Sequence, residues 1–147
     1  VVEATRKLWQ NVLGGCASAR FHRPGPRPGL YGVGLSELAQ THLRSARLFT
    51  AEFDVFRATP DVESRLLLDR QTNEAYLSYI PGEQYAVYFV DGGTVRLDLR
   101  DVEGEFTLKW LAISSSRWTA ENPLQGGRPA DLAAPGRGQW MAIVLAR

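Results

Sequence analysis

The chain reads as an α+β fold: two N-terminal helices followed by a small antiparallel β-sandwich of about seven strands. Two observations predict this. Apolar residues recur at helical spacing up to about residue 60, and from residue 73 onward they alternate at the two-residue period of strands. In that second part, Pro81-Gly82, Asp91-Gly92, Glu103-Gly104, Gly126-Gly127 and Pro135-Gly136 act as turn signals between short runs of β-branched and aromatic residues. The boundary therefore falls between residues 60 and 73, with the sandwich taking about 75 residues.

Residues 1–13 place Val1, Thr5, Leu8, Trp9 and Val12 on one helical stripe, and Gly14-Gly15 ends it, glycine being the residue that enters the left-handed C-cap conformation most easily. Residues 15–21 are small and weakly alternating, a strand only in the context of a βα repeat. Residues 22–34 contain three prolines and four glycines, so neither a helix nor a sheet ladder runs through them. The second helix is expected over residues 35–56, with Leu35, Leu38, Ala39, Leu43, Ala46, Phe49, Phe53 and Phe56 on its apolar stripe. Ser36 is its N-cap and Glu37 sits in its first turn, while Thr59-Pro60 stops or kinks it. Residues 64–68 form either a short strand or a helical turn.

Residues 76–99 carry the most information. Gly82 after Pro81 suits a type II turn, and Asp91-Gly92 suits a primed hairpin turn, so three runs are expected to form an antiparallel meander. In the third run, Val95, Leu97 and Leu99 alternate with Thr94, Arg96 and Asp98, giving one buried and one wet face. The second run is apolar on both faces, with Tyr85, Val87 and Phe89 on one and Ala86, Tyr88 and Val90 on the other. It is therefore a central strand, packed on a second sheet on one side and on something else, such as a helix, on the other. Further on, Phe106, Leu108 and Trp110 point inward, residues 114–116 turn, and residues 117–119 make a stub centred on Trp118. Residues 140–146 are apolar on both faces and form a second central strand.

Bulk composition narrows the function classes. At 147 residues, 44% hydrophobic and 22% charged, the chain has ordinary globular composition, enough for one domain or a small domain with an appendage. Its 17 basic and 16 acidic residues leave a net charge of +1, so no global field draws nucleic acid or anionic membrane, and neither partner is expected. No apolar run approaches the roughly 20 residues of a membrane span. The single cysteine, Cys16, makes no intrachain disulfide. The opening lacks a methionine and reads as mid-helix, which points to a piece of a longer protein.

Motifs for chemistry are sparse. Cys16, His22 and His42 share no metal-ligand spacing, and no cofactor is expected. His42 reads as a partly exposed or hydrogen-bonded structural residue of the helix, and Cys16 as a core filler. Asp91, Asp98, Asp101, Glu103 and Glu105 fall in turns and on wet faces, where carboxylates are ordinary surface charge rather than a glycosidase pair. The paired glycines open no helix as a nucleotide-binding loop would. Trp118, Trp110, Trp140 and Tyr85 on one sheet would make a platform for sugar rings if exposed, but core is the better reading: Trp110 and Trp140 alternate in phase with core residues, and Trp118 is the best candidate for an exposed ring that holds a sugar or other ligand.

The ordered pattern of Tyr76, the Pro81-Gly82 turn, Tyr85-Ala86-Val87-Tyr88, Gly92-Gly93, Phe106, Trp110, Trp118 and Gly138-Gln139-Trp140 resembles the small C-terminal sandwich of apiosidase-like bacterial glycoside hydrolases, a domain that carries a collagen-binding label. Residues 1–60 are similar to the end of the preceding (β/α)8 barrel: next-to-last helix, eighth strand, loop and last helix. The resemblance implies a TIM-barrel remnant in residues 1–60 and an accessory sandwich in 61–147. It also places His22 at the carboxyl end of a barrel strand, where substrate contacts gather. The family's acid pair belongs to earlier strands, so no position here inherits it. The implied partner is the chain's own catalytic barrel, with polysaccharide as a further ligand and a secreted or periplasmic location.

Overall fold

The computed structural model describes residues 2–16 and 36–147. Two helices, α1 (Val2–Leu13) and α2 (Glu37–Glu52), precede nine strands. These are β1 (Thr59–Pro60), β2 (Leu67–Leu68), β3 (Ala75–Ile80), β4 (Gln84–Phe89), β5 (Thr94–Leu97), β6 (Glu105–Ala112), β7 (Arg117–Gln125), β8 (Ala130–Ala133) and β9 (Trp140–Ala146). The fold class is α+β with an antiparallel sandwich, as the sequence predicts. A six-stranded sheet in the order β1-β3-β4-β9-β6-β7 faces a three-stranded sheet in the order β2-β5-β8. The expected strand over 15–21 and loop over 22–34, His22 included, lie outside the described residues apart from Gly15 and Cys16.

Strands β4 and β9 are central, and both faces of each are covered. Tyr85, Val87 and Phe89 of β4 enter the core between the sheets with Phe106, Leu108, Trp110, Val95, Leu97 and Leu132. Ala86 and Tyr88 point the other way, into a second core with Trp9 and Leu13 of α1 and Phe49 of α2, and Phe53 just beyond it. The helices thus supply the cover that a strand apolar on both faces requires.

Several expectations are corrected. The meander is broken after its second strand, because β4 pairs with β9 and β5 belongs to the other sheet. Asp91-Gly92-Gly93 is a crossing between sheets rather than a hairpin turn. Gly92 N–H donates to the Gly138 carbonyl at 2.8 Å, and Gly138 N–H donates to Asp91 Oδ1 at 2.8 Å. Gly92 has φ +64°, and a Cβ there would overlap the Gly136 carbonyl oxygen. By contrast, Pro81-Gly82 turns as expected: Gly82 takes φ +73° and Glu83 N–H donates to Ile80 O at 3.0 Å.

Helix α2 stops at Glu52, short of residue 56. The Asp54 carboxylate accepts the backbone N–H groups of Phe56 and Arg57, both at 3.2 Å, and this local turn competes with another helical turn. Thr59-Pro60 therefore terminates nothing; it forms the edge strand β1 against Tyr79 and Ser78, where proline's missing N–H is tolerated. Residues 67–68 resolve as strand. The Trp118 stub extends into nine-residue β7, and Pro123 within it again sits on an edge. Helix α1 ends as expected, with Gly15 at φ +71° and Cys16 N–H donating to Asn11 O at 3.0 Å, a Schellman closure. Cys16 itself is exposed, not a core filler.

Candidate functional site

The candidate site is the joint between the helix pair and the outer face of the large sheet. It begins with residue choice on α2. Ser36 caps the helix, its Oγ accepting Ala39 N–H at 3.2 Å. The buried face then carries Ala39, His42, Ser45 and Phe49. The apolar stripe predicted from leucines is therefore rotated: Leu38 and Leu43 remain 41% and 38% exposed, and Phe56, beyond the helix end, is 96% exposed. Two polar residues sit inside because each finds a partner. Trp9 Nε1 donates to His42 Nδ1 at 2.9 Å, and Ser45 Oγ donates to the Ile113 carbonyl at 2.7 Å. Ser116 Oγ, 2.9 Å from Ser45 Oγ, donates in turn to Thr41 O at 2.9 Å.

Aromatic packing closes the joint. Trp9 stacks on Tyr88 at 6.2 Å between ring centroids and meets Phe49 edge-on at 6.0 Å, and Phe49 stacks on Phe53 at 5.1 Å. Burial holds the His42 imidazole below its ordinary range, so it stays neutral, with its ring proton on Nε2 while Nδ1 accepts from Trp9. Burial likewise pushes the Tyr88 phenol well above its ordinary range; its hydroxyl, like Arg6 Nε, is buried without a hydrogen-bond partner.

Trp118 sits at one end of this joint. The β6–β7 register shifts between Lys109 and Leu111, so two steps on β6 oppose three on β7. That bulge turns Trp118, the partner of Leu111, toward the helix side of the sheet. The indole is half-buried there, with Lys109 Nζ 4.9 Å from its ring centroid, and Lys109 also pairs with Glu52 Oε1 of α2 at 2.9 Å. Trp110 and Tyr85, the other platform aromatics, are buried between the sheets, and Trp140 meets Trp110 edge-on. The acids lie apart on the surface: Asp98 binds Arg100, whose guanidinium holds its carboxyl below the usual range, and Asp69 and Asp131 flank Arg96. Among the described residues no group of three or more His, Cys, Asp or Glu could hold a metal ion.

Sequence reasoning missed His42 and Ser45 as interface residues because counting apolar spacing leaves out polar groups whose bonds come from elsewhere in the chain. The available signal was the run of small residues Ala39, Ser45 and Ala46, which lets a helix approach a sheet closely.

No protein-family model matches the chain, and no curated protein matches it. Solved structures do. A glycoside hydrolase family 5 protein from Bacteroides vulgatus ATCC 8482 superposes with a TM-score of 0.57 at 15% identity over 71% of this chain and 24% of its own. A second, described as a glycoside hydrolase, gives a TM-score of 0.61 at 12% identity over 82% of this chain and 30% of its own. The fold is shared with part of each of these two structures. The chain spans less than a third of the length of either neighbour.

Proposed function

We propose that this chain is the non-catalytic carboxyl-terminal portion of a glycoside hydrolase of the apiosidase-like type. On this reading residues 1–60 are the end of the (β/α)8 barrel and residues 61–147 an accessory sandwich that packs on the barrel and stabilises it. The observation that carries the proposal is the shared core, in which Trp9, Phe49 and Phe53 of the helical part interleave with Tyr88, Leu111 and Ile143 of the sheet. A sandwich joined in this way cannot move relative to the helices without exposing a row of aromatics to water. The partner is then the chain's own catalytic barrel, at a secreted or periplasmic location. His22 is the substrate contact that the barrel-strand resemblance suggests.

A second reading is a carbohydrate- or collagen-binding module, favoured by the half-exposed indole of Trp118 on an edge strand. Trp118→Ala separates the two when chemical denaturation is combined with affinity electrophoresis and reducing-sugar release on plant polysaccharides and collagen. The packing role predicts no sugar release, unchanged retardation and a stability loss of about 1–3 kcal/mol, below the ~3–5 kcal/mol of a fully buried tryptophan. Lost retardation with intact stability would install the binding module instead. Sugar release abolished by substituting an acidic residue of this chain would overturn both.

A further inference from the structure

A pocket of about 450 Å³ opens between the C-terminal turn of α1 and the segment that joins β1 to β3. Its apolar wall includes Pro60, Val62 and Leu67, and its polar groups include Gln10 and Arg70. Arg70 is half-buried and rigidly held: Nη1 donates to the Ala75 carbonyl at 2.5 Å, Nη2 donates to Ser64 Oγ at 2.7 Å, and the guanidinium lies 5.8 Å from the Tyr76 ring centroid. All of those partners are neutral, and no carboxylate among the described residues forms an ion pair with Arg70. Asp61 also lines the pocket, but its two oxygens accept the backbone N–H groups of Arg65 and Leu66 at 2.9 and 3.0 Å. A guanidinium has five N–H donors, so two neutral acceptors leave donors over, and its charge is met by no direct ion pair. Gln10 is half-buried, and its side-chain amide has no hydrogen-bond partner among the described residues. Ser64, whose Oγ holds Arg70, takes φ +53°, a left-handed conformation that a non-glycine residue adopts at a cost.

From this geometry we infer that the Arg70 pocket binds a carboxylate-bearing saccharide, a uronic acid residue. The guanidinium takes the carboxylate, Gln10 a ring hydroxyl, and Pro60 and Val62 the apolar face of the sugar. The anion site stands on the pocket alone; only its sugar character rests on the glycoside hydrolase reading.

The test titrates the isotopically labelled chain with glucuronate, galacturonate, glucose and acetate, following backbone amide shifts. Uronates are expected to shift amides around Gln10 and Leu77, with glucose and acetate each about tenfold or more weaker. Arg70→Met and Val62→Asp should each weaken uronate binding about tenfold or more. Val62 is 89% exposed, so its variant places a repelling charge at the pocket without disturbing the fold, and it decides the matter if Arg70→Met fails to fold. Uronate shifts that survive Val62→Asp, or no uronate shifts at all, overturn the site. Acetate binding as tightly as uronate leaves an anion site and overturns its sugar character, whereas the packing role proposed above fails only on stability and is unaffected by either result.

Discussion

At the residue scale, His42 shows how a buried polar group is accommodated. The residue is 3% exposed and its ring accepts the Trp9 indole N–H, so the neutral form is the one the fold uses. Its folded pKa therefore lies below the 6.5 expected in the unfolded chain. Between those two values the unfolded state binds more protons, so the contribution is fully present above pH 6.5 and is lost as pH falls, by at most about 1.4 kcal/mol per pH unit. Urea unfolding across pH 5–7 checks this against His42→Gln, which keeps an acceptor for Trp9 but does not titrate. The account predicts a shallower slope for the variant; identical slopes would show that His42 titrates freely. The Tyr88 hydroxyl makes the opposite case, being buried with no partner. Tyr88→Phe removes an unsatisfied group at nearly constant shape, so stability should hold or rise by up to about 1–2 kcal/mol in the same assay. A hydrogen-bonded structural role for His42 was legible in sequence, but its partner was not, because whether a buried His, Ser or Tyr is bonded depends on residues tens of positions away, such as Trp9 for His42 or Ile113 for Ser45.

At the element scale, local signals read well and pairings across sheets read poorly. The Pro81-Gly82 turn, the Ser36 cap and the doubly apolar strands β4 and β9 were legible because each is written in a few adjacent residues. The destination of β5 was not, since Asp91-Gly92 serves a hairpin or a sheet crossing equally well, and the choice is made by the loop around Gly136 and Gly138. Likewise β7 hid behind Pro123, which marks an edge strand as readily as a loop. Gly92→Ala tests the crossing. Its left-handed φ and the Gly136 carbonyl against any Cβ predict a loss of at least about 1–2 kcal/mol in thermal unfolding. The same substitution at Gly136, where a Cβ meets nothing within 4 Å, should cost little.

At the scale of the whole molecule, the two cores share the large sheet as their common wall, one between the sheets and one beneath the helices. The fold class was readable from the change of hydrophobic period near residue 60, but the period says nothing about which surface the helices cover. Ala39 is buried, Phe49 and Phe53 pack on the sandwich, and Leu43 is left outward. The central claim is therefore that helices and sandwich open together. Native-state hydrogen exchange, comparing the amides of α2 with those of β4 and β9 in the original chain and in Trp9→Ala, tests it most directly. The account predicts matching opening free energies for helix and sheet, both lowered by about 3–5 kcal/mol in the variant. Helix amides that exchange through a separate, lower opening while the sheet keeps its protection would contradict it.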